Sequence, residues 1–203
     1  MPYGYLGQTP NQQVKNSGVF SVGDAKALTD VGQLGGSLEH IQTKTISDDS
    51  AVAFDDLGNY KVHLFQWKNI HLDDNRDQNL RVKVGGSVQS ASSTYARAMQ
   101  VGSSSQDQDK DPNLDRLRLW AQTGADTGES VSGFLWMYCA LDSTKYTTFN
   151  QHYAQIIYNG NFEGSFGGGA YKVNNVLSGV HFYPSSSVMR NGSISLYGLK
   201  EIV

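Results

Sequence analysis

Leu80-Arg81-Val82-Lys83-Val84 alternates apolar and cationic side chains without a break and then runs into Gly85-Gly86. Successive side chains of an extended chain point to opposite faces, so this stretch has one apolar and one charged side. That is the mark of a half-buried antiparallel strand closed by a turn. The same grammar recurs upstream. Tyr60, Val62 and Leu64 alternate with Lys61 and His63, Ala51-Val52-Ala53-Phe54 is a short strand stopped by Asp55-Asp56, and residues 38–46 carry β-branched residues in an alternating polar context.

Downstream, Leu117-Arg118-Leu119-Trp120-Ala121 alternates again. Residues 133–141 are continuously apolar and predict a central strand covered on both faces. Residues 146–158 are rich in Thr, Tyr, Phe and Ile; 173–183 read as a strand capped by Pro184. Asn191-Gly192 is a turn signal before the closing strand 193–199. Residues 94–100 fit either a helical turn or a strand. Two stretches read as long loops: the polar run 102–113 and the glycine-rich run 159–170. About eight or nine strands separated by turn clusters predict an all-β, jelly-roll-like antiparallel β-sandwich over residues 37–203.

Residues 1–36 differ. Pro2 and Pro10 keep their neighbours extended, no periodicity is sustained, and Asp24 offers an N-cap to a short helical run before Gly35-Gly36. Chain ends are commonly mobile. Tyr3, Tyr5, Leu6, Val19 and Phe20, however, are apolar anchors of a kind that disordered tails lack, and they predict an attachment arm that orders against a neighbouring subunit. The first residues have neither a basic nor an apolar signal-peptide region, and no stretch reaches the ~20 apolar residues of a membrane span. No membrane insertion is expected.

At 203 residues the chain fits one core that needs no disulfide or metal. Only 38% is hydrophobic and 17% charged, below ordinary globular usage; Ser, Gly, Asn, Gln and Thr fill the gap, as suits strands, polar loops and contact surface. The net charge of −3 and thinly scattered Lys and Arg argue against nucleic-acid binding. Cys139, inside the apolar run, reads as a buried unpaired thiol.

Tests for chemistry return little. The histidines at 40, 63, 71, 152 and 181 show no metal-ligand spacing. Gly164-Ser165-Phe166-Gly167-Gly168-Gly169 lacks the Gly-Lys-Ser/Thr ending of a phosphate loop. Asp73-Asp74-Asn75-Arg76-Asp77 begins like a calcium loop, but Gln78 stands where the sharp turn wants Gly, and Val84 where the bidentate Glu belongs. Asp107, Asp109 and Asp111 form a second acidic cluster; solvated loop carboxylates are the simpler account of both. No catalytic residue and no cofactor is expected. Loops 102–113 and 159–170 are expected to be exposed contact loops, with Asp107, Asp109 and Asp111 on the first and Phe162 and Phe166, flanked by Gly and Asn, on the second, since aromatics set among Ser, Gly and Asn make adaptable contact surfaces.

Two segments carry a resemblance. Gly4-Tyr5-Leu6-Gly7-Gln8-Thr9-Pro10-Asn11-Gln12-Gln13-Val14, continuing through Asn16–Phe20 to Gly35–Glu39, resembles the start of virion proteins of marine tailed phages that infect cyanobacteria and related hosts. Gly192-Ser193-Ile194-Ser195-Leu196-Tyr197-Gly198-Leu199-Lys200 resembles the closing strand of such surface proteins, and Ser93–Arg97 is similar in kind. The likeness implies a jelly-roll-type domain behind an N-terminal arm and supplies no catalytic residues. The expected role is a tail-fibre or tail-associated virion protein, assembled in the host cytoplasm. It would be a homotrimer bound to other virion proteins of the tail, portal-adaptor or capsid and touching a host-surface glycan or protein. A capsid decoration or head-fibre protein is the near alternative and a polysaccharide-degrading enzyme the distant one.

Overall fold

The computed structural model describes residues 37–200; the expected helix and all five arm anchors lie outside them. Thirteen strands follow one another: β1 (Leu38–Asp49), β2 (Val52–Phe54), β3 (Val62–Leu72), β4 (Arg76–Val84), β5 (Ser87–Val88), β6 (Tyr95–Gly102), β7 (Gln106–Leu114), β8 (Leu117–Thr123), β9 (Val131–Tyr138), β10 (Thr147–Ile156), β11 (Phe162–Tyr171), β12 (Gly179–Pro184) and β13 (Met189–Leu199). They form two antiparallel sheets packed as a sandwich. The larger has eight strands in the order β1-β13-β3-β9-β10-β11-β6-β7; the smaller has five, β2-β12-β4-β5 with β8 also on β4. Among the described residues there is no helix.

Alternation does what the sequence implied. In β10 the residues 147, 149, 151, 153 and 155 are buried and those between them are exposed down to Ala154. The core between the sheets is aromatic and aliphatic. Trp67 and Trp120 lie 5.0 Å apart, and Phe54, Phe65 and Phe182 form a ring cluster at 5.4–6.0 Å. Each fully buried side chain of this size contributes about 1.5–3 kcal/mol by leaving water.

Several expectations change. The polar run 102–113 is a hairpin in which β6 pairs with β7 from Gly102↔Gln106 to Tyr95↔Leu114, and this also settles 94–100 as strand. Composition misleads here because β7 is an edge strand. It has one partner, so half its backbone faces water, and Gln-Asp-Gln-Asp-Lys-Asp-Pro suits an edge that must not pair with another chain.

The glycine-rich run is likewise a strand, β11, paired on both sides with β10 and β6. Its glycines allow close backbone approach: a Cβ at Gly168 would lie 2.0 Å from the Phe149 carbonyl oxygen, and one at Gly169 would lie 2.4 Å from that of Ala96. The expected central strand, β9, is central in its sheet but, among the described residues, covered on one face only, with Leu135 and Met137 buried and Tyr138 exposed. Cys139 follows it at positive φ and is half-exposed. Tyr95 and Tyr171 are buried against each other at 5.2 Å.

Candidate contact surface

The eight-stranded sheet is wider than its partner. Strands β10, β11, β6 and β7 extend beyond β9 as an overhang, and β8 reaches across to touch β10 and β6. The inner and outer faces of this overhang do different things.

On the inner face, β8 lies at the edge of its own sheet. Two of its carbonyls take side-chain donors in place of a strand. Gln151 Nε2 donates to Leu119 O at 2.7 Å and Gln155 Nε2 donates to Ala121 O at 2.7 Å. Buried carbonyls left alone would cost about 1–3 kcal/mol each, so these fully buried glutamines lock the overhang to β8. Beside them runs an ion-pair chain. Arg97, its side chain 7% exposed, pairs with Asp109 of β7. Asp109 also pairs with Arg118 of β8, which reaches Asp77 at 3.2 Å. Burial pushes the Asp109 carboxyl up, but the two guanidiniums together outweigh it and hold the group below its ordinary value.

Asp109 is thus not an exposed loop carboxylate. It is a half-buried strut, while Asp107 is exposed and Asp111 is partly buried. A cavity of about 270 Å³ lies next to it, lined in part by Arg118, Trp120, Tyr153 and Glu163. Glu163 Oε1 accepts from Tyr153 Oη at 3.0 Å and from Gln155 at 2.7 Å. A glycosidic general acid needs a raised pKa; Asp109 has the opposite perturbation and does not suit that role. Asp73 and Asp77 of the other acidic cluster pair with Arg190 and Arg118, and Asp74 pairs with Arg76. Among the described residues no group of three or more His, Cys, Asp or Glu is placed to hold a metal ion.

The outer face is built differently. Strand register lays its residues out in rows across the sheet. One row runs Leu38, Leu199, Val62, Tyr138, Thr148, Ala170, Ala96. The next runs His40, Tyr197, Leu64, Trp136, Asn150, Gly168, Ala98, Lys110. The third runs Thr43, Ser195, Gln66, Phe134, His152, Phe166, Gln100, Gln108. Lys110, at the margin, is the only formal charge in the three. Within the third row Phe134 stacks on His152 at 5.1 Å with ring planes 10° apart, and Phe166 follows at 6.0 Å. Phe166 is 55% exposed and Phe162, on the same strand, 63%. Beside this aromatic ridge lies an open trough of about 790 Å³ over Ala96, Ala98, Gly168 and Ala170.

A solvent-facing sheet surface is ordinarily polar, alternating with its apolar inner side. This one has aromatic and aliphatic residues on both sides of β3 and β9. Sequence reasoning picked Phe162 and Phe166 by their Gly and Asn neighbours but missed Phe134, Trp136 and Tyr138. The signal was there: nine residues without polar alternation predicted a strand covered on both faces, and the outer cover is absent from the described residues. No protein-family profile, no curated protein sequence and no solved structure matches this chain.

Proposed function

We propose that the chain is a non-enzymatic structural protein of a tailed-phage virion, a tail-fibre or tail-associated component that works by docking its outer sheet face onto neighbouring protein. The observation that carries this is the face itself: an almost uncharged surface eight strands wide, crossed by a ridge of stacked aromatic rings. Exposed apolar areas of this kind mark interaction sites, and aromatic residues dominate the energetics of protein contacts.

Strand order supports a jelly-roll reading of the sandwich. With the insertions β5–β7 and β10–β11 set aside, the sheets read β1-β13-β3-β9 and β2-β12-β4-β8. In that order the last two strands return to lie beside the first two, one in each sheet, which is the interlocked Greek-key order of a jelly roll. The insertions are what widen one sheet into the overhang. The resemblance of the opening and closing segments to marine phage virion proteins points to the same class, with residues 1–36 as the attachment arm.

The test is incorporation. A chain carrying Phe166→Lys and Tyr138→Lys should fold normally, because both side chains are exposed, yet be missing from purified particles. Normal incorporation refutes the docking face. A capsid decoration role would use the same face; hundreds of copies per particle favour the capsid, a few dozen or fewer the tail.

A further inference from the structure

We infer that the occupant of the outer face is a second copy of this chain, paired about a twofold axis so that the aromatic ridge of each copy seats in the trough of the other. This rests on the reading of that face as the docking surface and names its partner.

Three features lead to a second copy. The first is extent. Eight strands at about 4.8 Å spacing give a width of roughly 34 Å, and the rows span roughly 20 Å along the strands, a footprint near 700 Å². Standard-size protein interfaces bury about 600–1,000 Å² on each partner, so this face falls within that range.

The second is charge. A surface meeting a copy of itself confronts every charge with a like charge unless the centre is neutral. Here the three rows hold uncharged side chains, and the charges lie around them: Lys110 and Asp111 of edge strand β7 border the trough, and Lys68 is exposed in the adjoining row. A face shaped for a partner of another kind has no such requirement, and charge complementarity would ordinarily set its specificity.

The third is relief. Phe134, His152 and Phe166 stand up from β9, β10 and β11, while Ala96, Ala98, Gly168 and Ala170 leave a hollow immediately beside them on β11 and β6. Projection and hollow lie on one face, so a single rotation about an in-plane axis between them places each against the other. That is the self-complementarity an isologous interface demands. A twofold pair differs from the threefold assembly expected from sequence.

Sedimentation equilibrium of the full chain over a wide concentration range tests this. The wild-type chain should form an even-numbered assembly. Phe166→Lys on the ridge and Ala98→Glu in the trough, both at exposed positions, should each weaken association at least tenfold while the dilute, unpaired chain keeps its thermal stability. Mixing the two variants should restore pairing, because one lysine–glutamate contact replaces one ridge–trough contact and the other stays native. A chain that is monomeric throughout, an odd-numbered assembly, or an assembly indifferent to both substitutions overturns the inference. If the chain is monomeric yet Phe166→Lys still blocks incorporation into particles, the docking face stands and the second copy falls. If Phe166→Lys changes neither, both fall.

Discussion

Replacing Asp109 by Asn separates a structural strut from a surface carboxylate. In the wild type this carboxylate is shared by Arg97, almost fully buried, and Arg118. The substitution keeps shape and one acceptor but removes the anion that, among the described residues, pairs with Arg97, while Arg118 keeps Asp77 at 3.2 Å. Breaking a buried ion pair from one side costs about 3–5 kcal/mol. The Asp109 side chain is 25% exposed and Asn still accepts one hydrogen bond, so the lower end, about 3 kcal/mol, is expected. The assay is urea unfolding followed by Trp67 and Trp120 fluorescence, with a shift in midpoint at constant m. Arg97→Met combined with Asp109→Leu should recover most of the loss, since apolar replacements of a buried pair are often neutral. A single Asp109→Asn variant within about 0.5 kcal/mol of wild type, the range of ordinary surface changes, would refute the strut. A depolymerase carboxylate would behave in the opposite way, giving a fully stable protein that has lost glycan cleavage.

Further expectations follow from other sites. Gly169→Ala puts a Cβ 2.4 Å from Ala96 O and 2.5 Å from Leu117 Cδ1; it should lower stability by about 1–3 kcal/mol, seen as a lower Tm, whereas an unchanged Tm would return this segment to a loop. His63 is fully buried, and desolvation lowers its pKa from 6.5 against the opposing pull of its bond to Leu57 O. Below pH 6.5 the unfolded chain therefore binds more protons than the folded one, and stability falls with acidification from there down to the folded value. His63→Asn should flatten that limb of a Tm-against-pH curve, and an unaltered limb counts against it. Asp107→Val with Lys110→Val strips charge from edge strand β7 and should raise light scattering at constant Tm; an unchanged scattering profile would show that the edge needs no such guard. Deleting residues 1–20 should abolish incorporation into particles while the sandwich stays folded, and normal incorporation removes the attachment arm.

The sandwich was legible where one face is wet and the other dry. Leu80–Val84 and Leu117–Ala121 announce themselves by alternation, and both are strands. Legibility failed where strand residues serve something other than a core. Asp107, Asp109 and Asp111 look like loop because an edge strand carries charges that a central strand could not, and Gly164–Gly169 look like loop because β11 must let two backbones close in. Arg97 and Arg118 gave no sign of sharing Asp109, since that pairing joins strands whose adjacency depends on the fold of the whole overhang. The outer face was half visible. Residues 133–141 called for cover on both sides, but only the register of β9, β10 and β11 shows that Phe134, His152 and Phe166 form one ridge.

Hydroxyl-radical footprinting of the chain, free and assembled into the particle, tests the working surface most directly. Phe166 and Tyr138 on the outer face and Tyr146 and Tyr158 at the strand ends are all exposed in the free chain. The account predicts that assembly shields the first two and leaves the last two reactive. Equal reactivity of Phe166 and Tyr138 before and after assembly would contradict it.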